Sequence, residues 1–236
     1  MGRLPLILGF VQFDQSLAFN SQQFIVLLDQ YESAELFRRN YPLNISSCQF
    51  IFTRLLLKVL VSKRLSIQPE RLSIRSACSG QPLLFIDGCY SRDISLSISH
   101  DHYHLLVGVG LGCRCGVDVQ GIFGVDWPLV MSFMGWTAHV EAWLANYEGK
   151  IPVNQLTQEV ASALLWCAYE AWKKLTLCTS DLRAFSWKCI SLISIDPATA
   201  TSTFRMELSK NCPFSNASLV LSLRSHEVLA IASIPF

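Results

Sequence analysis

Between Val160 and Leu177 the chain reads VASALLWCAYEAWKKLTL, eighteen residues without a glycine or proline. An uninterrupted apolar run of this length is a helix, and one apolar on nearly every side belongs in a protein core. Trp166, Glu170 and Lys174 follow one another at intervals of four, which places them on one helical face. On an exposed helix, Glu170 and Lys174 would be an ordinary i,i+4 pair contributing about 0.2–0.5 kcal/mol. Here Ala163, Leu164, Leu165, Cys167, Ala168, Tyr169, Ala171 and Trp172 surround them. A charge in that setting costs several kcal/mol unless it is paired, coordinated or turned toward a ligand. The chain must therefore fold so that something meets these two charges.

The remainder of the sequence can supply that fold. Its 236 residues are 51% hydrophobic, enough for a sizeable core in one domain or two small subdomains and too apolar for disorder. The net charge of +1 argues against a partner such as nucleic acid or a membrane surface, so any recognition of phosphate has to be local. Nine cysteines, with no CxxC pair and only Cys113 and Cys115 closely spaced, make a disulfide framework or a zinc site unexpected. A reducing, cytoplasmic setting is the expectation. The amino terminus, MGRLPLILGFVQF, is interrupted by Pro5 and ended by Gln12 and Asp14, which reads as a first strand rather than a signal peptide. Gly2 lacks the Ser or Thr at position 6 that myristoylation requires. No apolar run is expected to reach the ~18 residues that a transmembrane helix needs.

Along the chain, a polar segment to about Leu43 precedes a helical run from Cys48 to Leu65. The stretch SIQPERLSIRSACSGQPLLF reads as turn-rich, with Pro69 and the Ser79–Pro82 turn. LSIS, LLVGVG and GVDVQ read as three short strands. Trp127 to Tyr147 is expected to be helical, Glu148 to Asn154 a loop, and strands are expected near 185–195, 202–208, 218–223 and 227–234. LSISHDHYHLLVGVG in the first half has a counterpart in LSLRSHEVLAIAS in the second. The expectation is an α+β chain built by pseudo-twofold duplication of two similar subdomains, residues 1–112 and 113–236. A groove between such halves is the natural ligand site.

Two short motifs bear on chemistry. In GVDVQ, strand alternation sends Asp118 and Gln120 to one face, so two oxygen donors project together. With a helical glutamate they would suit a hard cation such as magnesium, substrate phosphate and water completing its shell. Read alone, Asp118 starts a turn before Gly121 and Gln120 is solvated. Ser99 and His100 end the preceding strand in SISH; the histidine there either caps the turn or donates to a phosphate.

In order, SGQP, SISH, GVDVQ and W-x-x-x-E-A-x-x-K resemble the motifs of the surfactin-type 4′-phosphopantetheinyl transferases, over roughly residues 45 to 195. That resemblance implies a monomer of two α+β halves that binds coenzyme A between them. It implies transfer of the phosphopantetheine arm to a serine of an acyl or peptidyl carrier protein in fatty-acid, polyketide or nonribosomal-peptide synthesis, releasing adenosine 3′,5′-bisphosphate. Carried over residue by residue, Asp118 and Glu170 are implied magnesium ligands. Lys174 is implied to contact the phosphates, and Glu170 to remove the proton of the attacking serine. Ser99 and His100 are implied to face the coenzyme's phosphates, the Gly80-Gln81-Pro82 turn its adenine, and Trp166 to pack behind the catalytic face.

The pattern departs from the family at three positions. Gln120 stands where a metal-binding glutamate is usual, and Tyr169 and Gln81 where lysines are usual. Asp101 is a candidate replacement for the missing metal ligand. Arg54, Lys58, Arg38 and Arg39 are candidates to restore positive charge around the coenzyme. Trp127, Met131, Phe133, Met134 and Trp136 offer either a docking surface for a carrier helix or ordinary packing. The same departures leave open an impaired family member that binds coenzyme A or carrier proteins without transfer. A structural α+β protein in which Glu170 and Lys174 form a helix salt bridge is the more distant alternative.

Overall fold

The computed structural model of the chain describes residues 6–12, 21–38, 45–151, 155–176, 187–196, 201–208, 218–224 and 226–235. It is an α+β protein of several small sheets. The chain divides into two units, Met1–Cys115 with Pro235–Phe236, and Gly116–Ile234. The division falls slightly beyond the expected break after residue 112, inside the strand that carries GVDVQ.

In the first unit, β1 (Leu6–Gln12) is followed by a short 3-10 helix (Ser21–Leu27), α1 (Gln30–Arg38) and α2 (Ile45–Leu65). Next come β2 (Leu72–Ser76), β3 (Pro82–Ile86), β4 (Cys89–Tyr90), β5 (Ile94–His100) and β6 (His104–Leu111). Antiparallel pairing gives two sheets of order β1-β6-β5 and β2-β3-β4. Central β6, HLLVGVGL, is buried along almost its whole length, which is why it reads as a continuous apolar run rather than an alternating one. Leu57 and Val61 of α2 pack with Ile74, Leu84, Leu96, Val107 and Val109 to form the core.

Three expectations are corrected in this unit. The stretch read as turn-rich contains the β2–β3 hairpin. Leu72 and Ile74 alternate inward and are fully buried, a period-two signal short enough to be lost among Ser, Pro and Gly. The segment read as merely polar contains α1, whose start is a reciprocal cap. Asp29 Oδ1 accepts from the Glu32 N–H at 2.9 Å while Glu32 Oε2 accepts from the Asp29 N–H at 3.0 Å. Helix α2 is also long and apolar enough, by length and composition only, to cross a membrane, contrary to the expectation that no run would be. Its Arg54 and Lys58 are buried, and Lys58 Nζ meets the fully buried Glu32 at 2.6 Å.

In the second unit, β7 (Cys113–Gly121) leads through Asp126, whose side chain accepts from the Leu129 N–H, into α3 (Trp127–Met134) and α4 (Thr137–Tyr147). The expected single helix from Trp127 to Tyr147 is thus two, divided at Gly135, which takes the left-handed conformation (φ 69°) that ends α3. Then α5 (Gln158–Thr176) is followed by β8 (Trp187–Asp196), β9 (Thr201–Leu208), β10 (Ser218–Leu223) and β11 (Glu227–Pro235), close to the expected positions. The five-stranded sheet has the order β7-β11-β10-β9-β8. Helix α5 presents Ala161, Ala163, Leu164, Cys167, Ala168 and Ala171, all fully buried, to a core that includes Leu219, Leu221, Val228 and Ala230. Trp127, Met131 and Trp136 belong to that core and are not a docking surface; on α3 it is Leu129 and Phe133 that face outward, 66% and 89% exposed. Residues 152–154 of the expected loop lie outside the described residues.

Candidate active site at the junction of β7 and α5

The two motifs lie about fifty residues apart in sequence and meet because a glycine allows it. A Cβ on Gly116, the first residue of GVDVQ, would lie 2.0 Å from the carbonyl oxygen of Ala171 and 2.6 Å from the Leu175 nitrogen. Both are backbone atoms of α5, so no side-chain rotation could relieve the clash. Absence of a side chain lets strand and helix touch backbone to backbone, the use of glycine that close approach demands.

That contact sets the geometry of the charges. Two residues beyond Gly116, Asp118 is buried, and Lys174 Nζ donates to its Oδ1 at 2.6 Å and to the carbonyl oxygen of Val117 at 3.2 Å. Lys174 keeps 29% side-chain exposure against 7% for Asp118, so the pair is buried at the carboxylate and open at the ammonium. Two turns earlier on the same face, Cys167 donates to the carbonyl oxygen of Val228 at 3.4 Å. Burial pushes its thiol well above the usual range; the charge of Asp118 and a hydrogen bond to it add to that, and Lys174 opposes it. Burial likewise pushes the Cys115 thiol up to about 12. Neither cysteine supplies a thiolate nucleophile at neutral pH.

Glu170 lies one turn before Lys174. The alternative of an i,i+4 salt bridge with Lys174 is not formed; Glu170, 19% exposed, makes an i,i+3 pair instead, with Lys173 Nζ at 3.2 Å from its Oε1. Lys173 also sits 5.8 Å from the centre of the Tyr169 ring. Tyr169 packs edge-on to Trp136 at 5.3 Å and against Trp166 at 6.2 Å. Gln120 donates through Nε2 to the carbonyl oxygen of Gly121 at 3.2 Å.

The remaining candidates lie in the first unit. Ser99 is buried and His100 exposed at the end of β5, opposite Leu106 and Leu105 of β6. Asp101 opens the turn between these strands. Its Oδ1 accepts from the N–H groups of Tyr103 at 2.8 Å and His104 at 2.7 Å, and both carboxylate oxygens lie 3.0 Å from His104 Nδ1. Burial works to raise its pKa, but the bonds from His104 and Tyr103 prevail and hold the carboxyl below its usual range. Asp101 thus has full employment inside its own hairpin. Gly80, with φ 84°, shapes the turn that carries Gln81 and Pro82 between β2 and β3, closed by Ala77 N–H to Gln81 O at 2.8 Å. Arg54 is buried, stacked 4.2 Å over the Phe50 ring, and donates to Ser76 Oγ at 3.1 Å with Glu35 beside it at 3.5 Å. Arg38 is at the end of α1, where Nε donates to the carbonyl oxygen of Ala34; Arg39 lies outside the described residues.

Among the described residues, no three His, Cys, Asp or Glu side chains gather as a metal-holding group. Asp118, Glu170 and Gln120 offer oxygen donors only. Magnesium commonly takes just one or two protein carboxylates and completes its shell with water and substrate phosphate, so this chemistry suits it. Gly116, Cys167 and Lys173 were missed in the sequence. Only Gly116, which interrupts a run of strand formers, carried a readable signal. No protein-family model matches the chain, and no curated protein matches it in sequence.

Proposed function

We propose that the chain is a magnesium-dependent 4′-phosphopantetheinyl transferase acting on an acyl or peptidyl carrier protein, its two units being the halves of a duplicated fold. The reading rests on one observation above the others, the Lys174–Asp118 pair at 2.6 Å, which joins the two motifs whose order suggested the family. The long helix packed with antiparallel strands in each unit is consistent with duplication. Asp118 and Glu170, with Gln120, would hold magnesium, which when bound neutralises charge on the coenzyme's pyrophosphate.

The chain's own residues then have separate tasks. Glu170 takes the proton of the carrier serine hydroxyl, directly or through water. The serine oxygen bonds to the phosphorus that bears pantetheine, and the bond from that phosphorus to the bridging pyrophosphate oxygen breaks. The electron pair leaves with adenosine 3′,5′-bisphosphate. Lys174 presents its ammonium to the phosphates, where charge develops. Such reactions depend chiefly on positioning and charge neutralisation, and a lysine backed by a buried carboxylate supplies both. Arg54 is left out of the coenzyme pocket because Glu35 and Ser76 already engage it.

A second reading is favoured by the pairing of both carboxylates with lysines of the same helix and by Gln120: a coenzyme-binding module with impaired transfer. Incubation of the full chain with labelled coenzyme A, magnesium and several apo carrier proteins separates them. Label on the carrier serine supports the transferase. Saturable coenzyme binding with no labelled carrier supports the module and defeats the main proposal.

A further inference from the structure

Each carboxylate assigned to the metal already faces an ammonium group of its own unit. Lys174 meets Asp118 at 2.6 Å and Lys173 meets Glu170 at 3.2 Å. The two pairs differ in character. Lys173 is 43% exposed and its contact with Glu170 is a surface i,i+3 pair of the kind that contributes little. Lys174 bonds a buried carboxylate and a backbone carbonyl, and comes from the far side of a backbone-tight junction. Cys167, fully buried and bonded to the Val228 carbonyl oxygen, lies on the same helical face and has no freedom to move away. Lys174, partly open to solvent on a long stem, is a partner that can leave.

Resting on the transferase reading, we propose that Lys174 is a resident counter-cation of Asp118 that a divalent ion displaces, so that metal loading and delivery of the Lys174 ammonium to substrate phosphate are a single exchange. The physics requires competition. A divalent ion and an ammonium compete for the same buried carboxylate, because like charges repel once both are present. Removing the competitor raises metal affinity, and by linkage bound metal weakens the hold of Asp118 on Lys174 to the same extent. Lys174 then has two positions with two purposes. Against Asp118 it neutralises a buried carboxylate when no metal is bound. Released from it, it is free to reach an anionic substrate. Transfer without metal is prevented because the phosphate-binding lysine remains held.

The test uses the full chain without coenzyme, with Mn2+ as the probe. Lys174→Gln should bind Mn2+ at least about tenfold more tightly than wild type, Lys174→Arg no more tightly than wild type, and Asp118→Asn added to Lys174→Gln should remove the gain. Equal or weaker binding by Lys174→Gln, or a gain that survives Asp118→Asn, overturns the proposal. Because Lys174→Gln strands a buried carboxylate, a second measurement uses the wild-type protein alone. Amine acylation at Lys174, read by peptide mass spectrometry, should accelerate several-fold on saturation with Mn2+; an unchanged or slower rate overturns the exchange. Carrier modification is assayed on the same preparation. Modification without release of Lys174 defeats this inference alone, whereas release of Lys174 without modification upholds it and defeats the transferase reading.

Discussion

Replacing Gly116 by alanine adds one methyl group at the point where β7 touches α5. Its carbon would sit 2.0 Å from the Ala171 carbonyl oxygen and 2.6 Å from the Leu175 nitrogen. An ordinary carbon–oxygen contact is about 3.3 Å, so strand and helix must part by roughly 1 Å or more. Overpacking of a well-filled site costs about 1–3 kcal/mol, and backbone on both sides puts Gly116→Ala at the upper end, near 3 kcal/mol. For a chain of this length that lowers Tm by about 6–12 °C. The same movement stretches the 2.6 Å contact between Lys174 and Asp118. Misplacement of about 1 Å can cost 10²-fold in rate, so transfer to the carrier should fall by about that factor even below the new Tm. Gly149→Ala is the control: φ is 71° but no atom lies within 4 Å, and its cost is about 1 kcal/mol of backbone strain with no effect on rate. Thermal unfolding by circular dichroism and carrier-modification kinetics give both quantities. A Gly116→Ala protein within about 0.5 kcal/mol of wild type would refute the close approach on which the site is built.

Other expectations follow from the same packing. Lys58→Met leaves the Glu32 carboxylate buried without its cation and should destabilise by about 3–5 kcal/mol in urea, whereas Glu32→Gln with Lys58→Met should recover a large part. Asp101→Ala should leave the magnesium requirement unchanged, since its carboxylate is committed to Tyr103 and His104. The pH dependence has a definite sign. The folded carboxyl titrates below its unfolded value of about 3.9, so the stabilisation is complete above that value and is lost as pH falls through the depressed one. The stability difference between wild type and Asp101→Asn should therefore shrink below about pH 4. Tyr169→Lys restores the lysine of the family pattern but loses the contacts with Trp136 and Trp166. It should cost about 1–3 kcal/mol on chemical unfolding.

Elements with a strong period were legible in the sequence, and those defined by partners were not. Helix α5, the β5–β6 hairpin and the strand carrying GVDVQ were all written in apolar spacing. The hairpin of β2 and β3 was obscured because only Leu72, Ile74 and Leu84 mark its buried face, three residues among turn formers. Helix α1 was missed because its position depends on Glu32 reaching Lys58 and the Ile74 N–H at 2.9 Å, contacts across 26 and 42 residues. At the site, the spacing of Glu170 and Lys174 put both on one helical face but did not say which partner each would meet. Helical periodicity places residues on a face, but whether Lys174 turns to Glu170 or to Asp118 depends on how near β7 comes, and that is decided by Gly116. The apolar stripe from Trp127 to Trp136 read as one surface, yet capping at Asp126 and Gly135 turns Trp127, Met131 and Trp136 inward and leaves Leu129 and Phe133 outside.

The central claim is that the junction of β7 and α5 carries phosphopantetheinyl transfer, and intact-mass measurement of an apo carrier protein tests it most directly. With coenzyme A, magnesium and the wild-type chain, the carrier serine should gain one phosphopantetheine and adenosine 3′,5′-bisphosphate should appear in equal amount. Folded Asp118→Asn and Glu170→Gln proteins should fall short by about 10²-fold or more in initial rate. A carrier that stays apo with the wild-type chain, or is modified equally fast by these variants, would contradict the account.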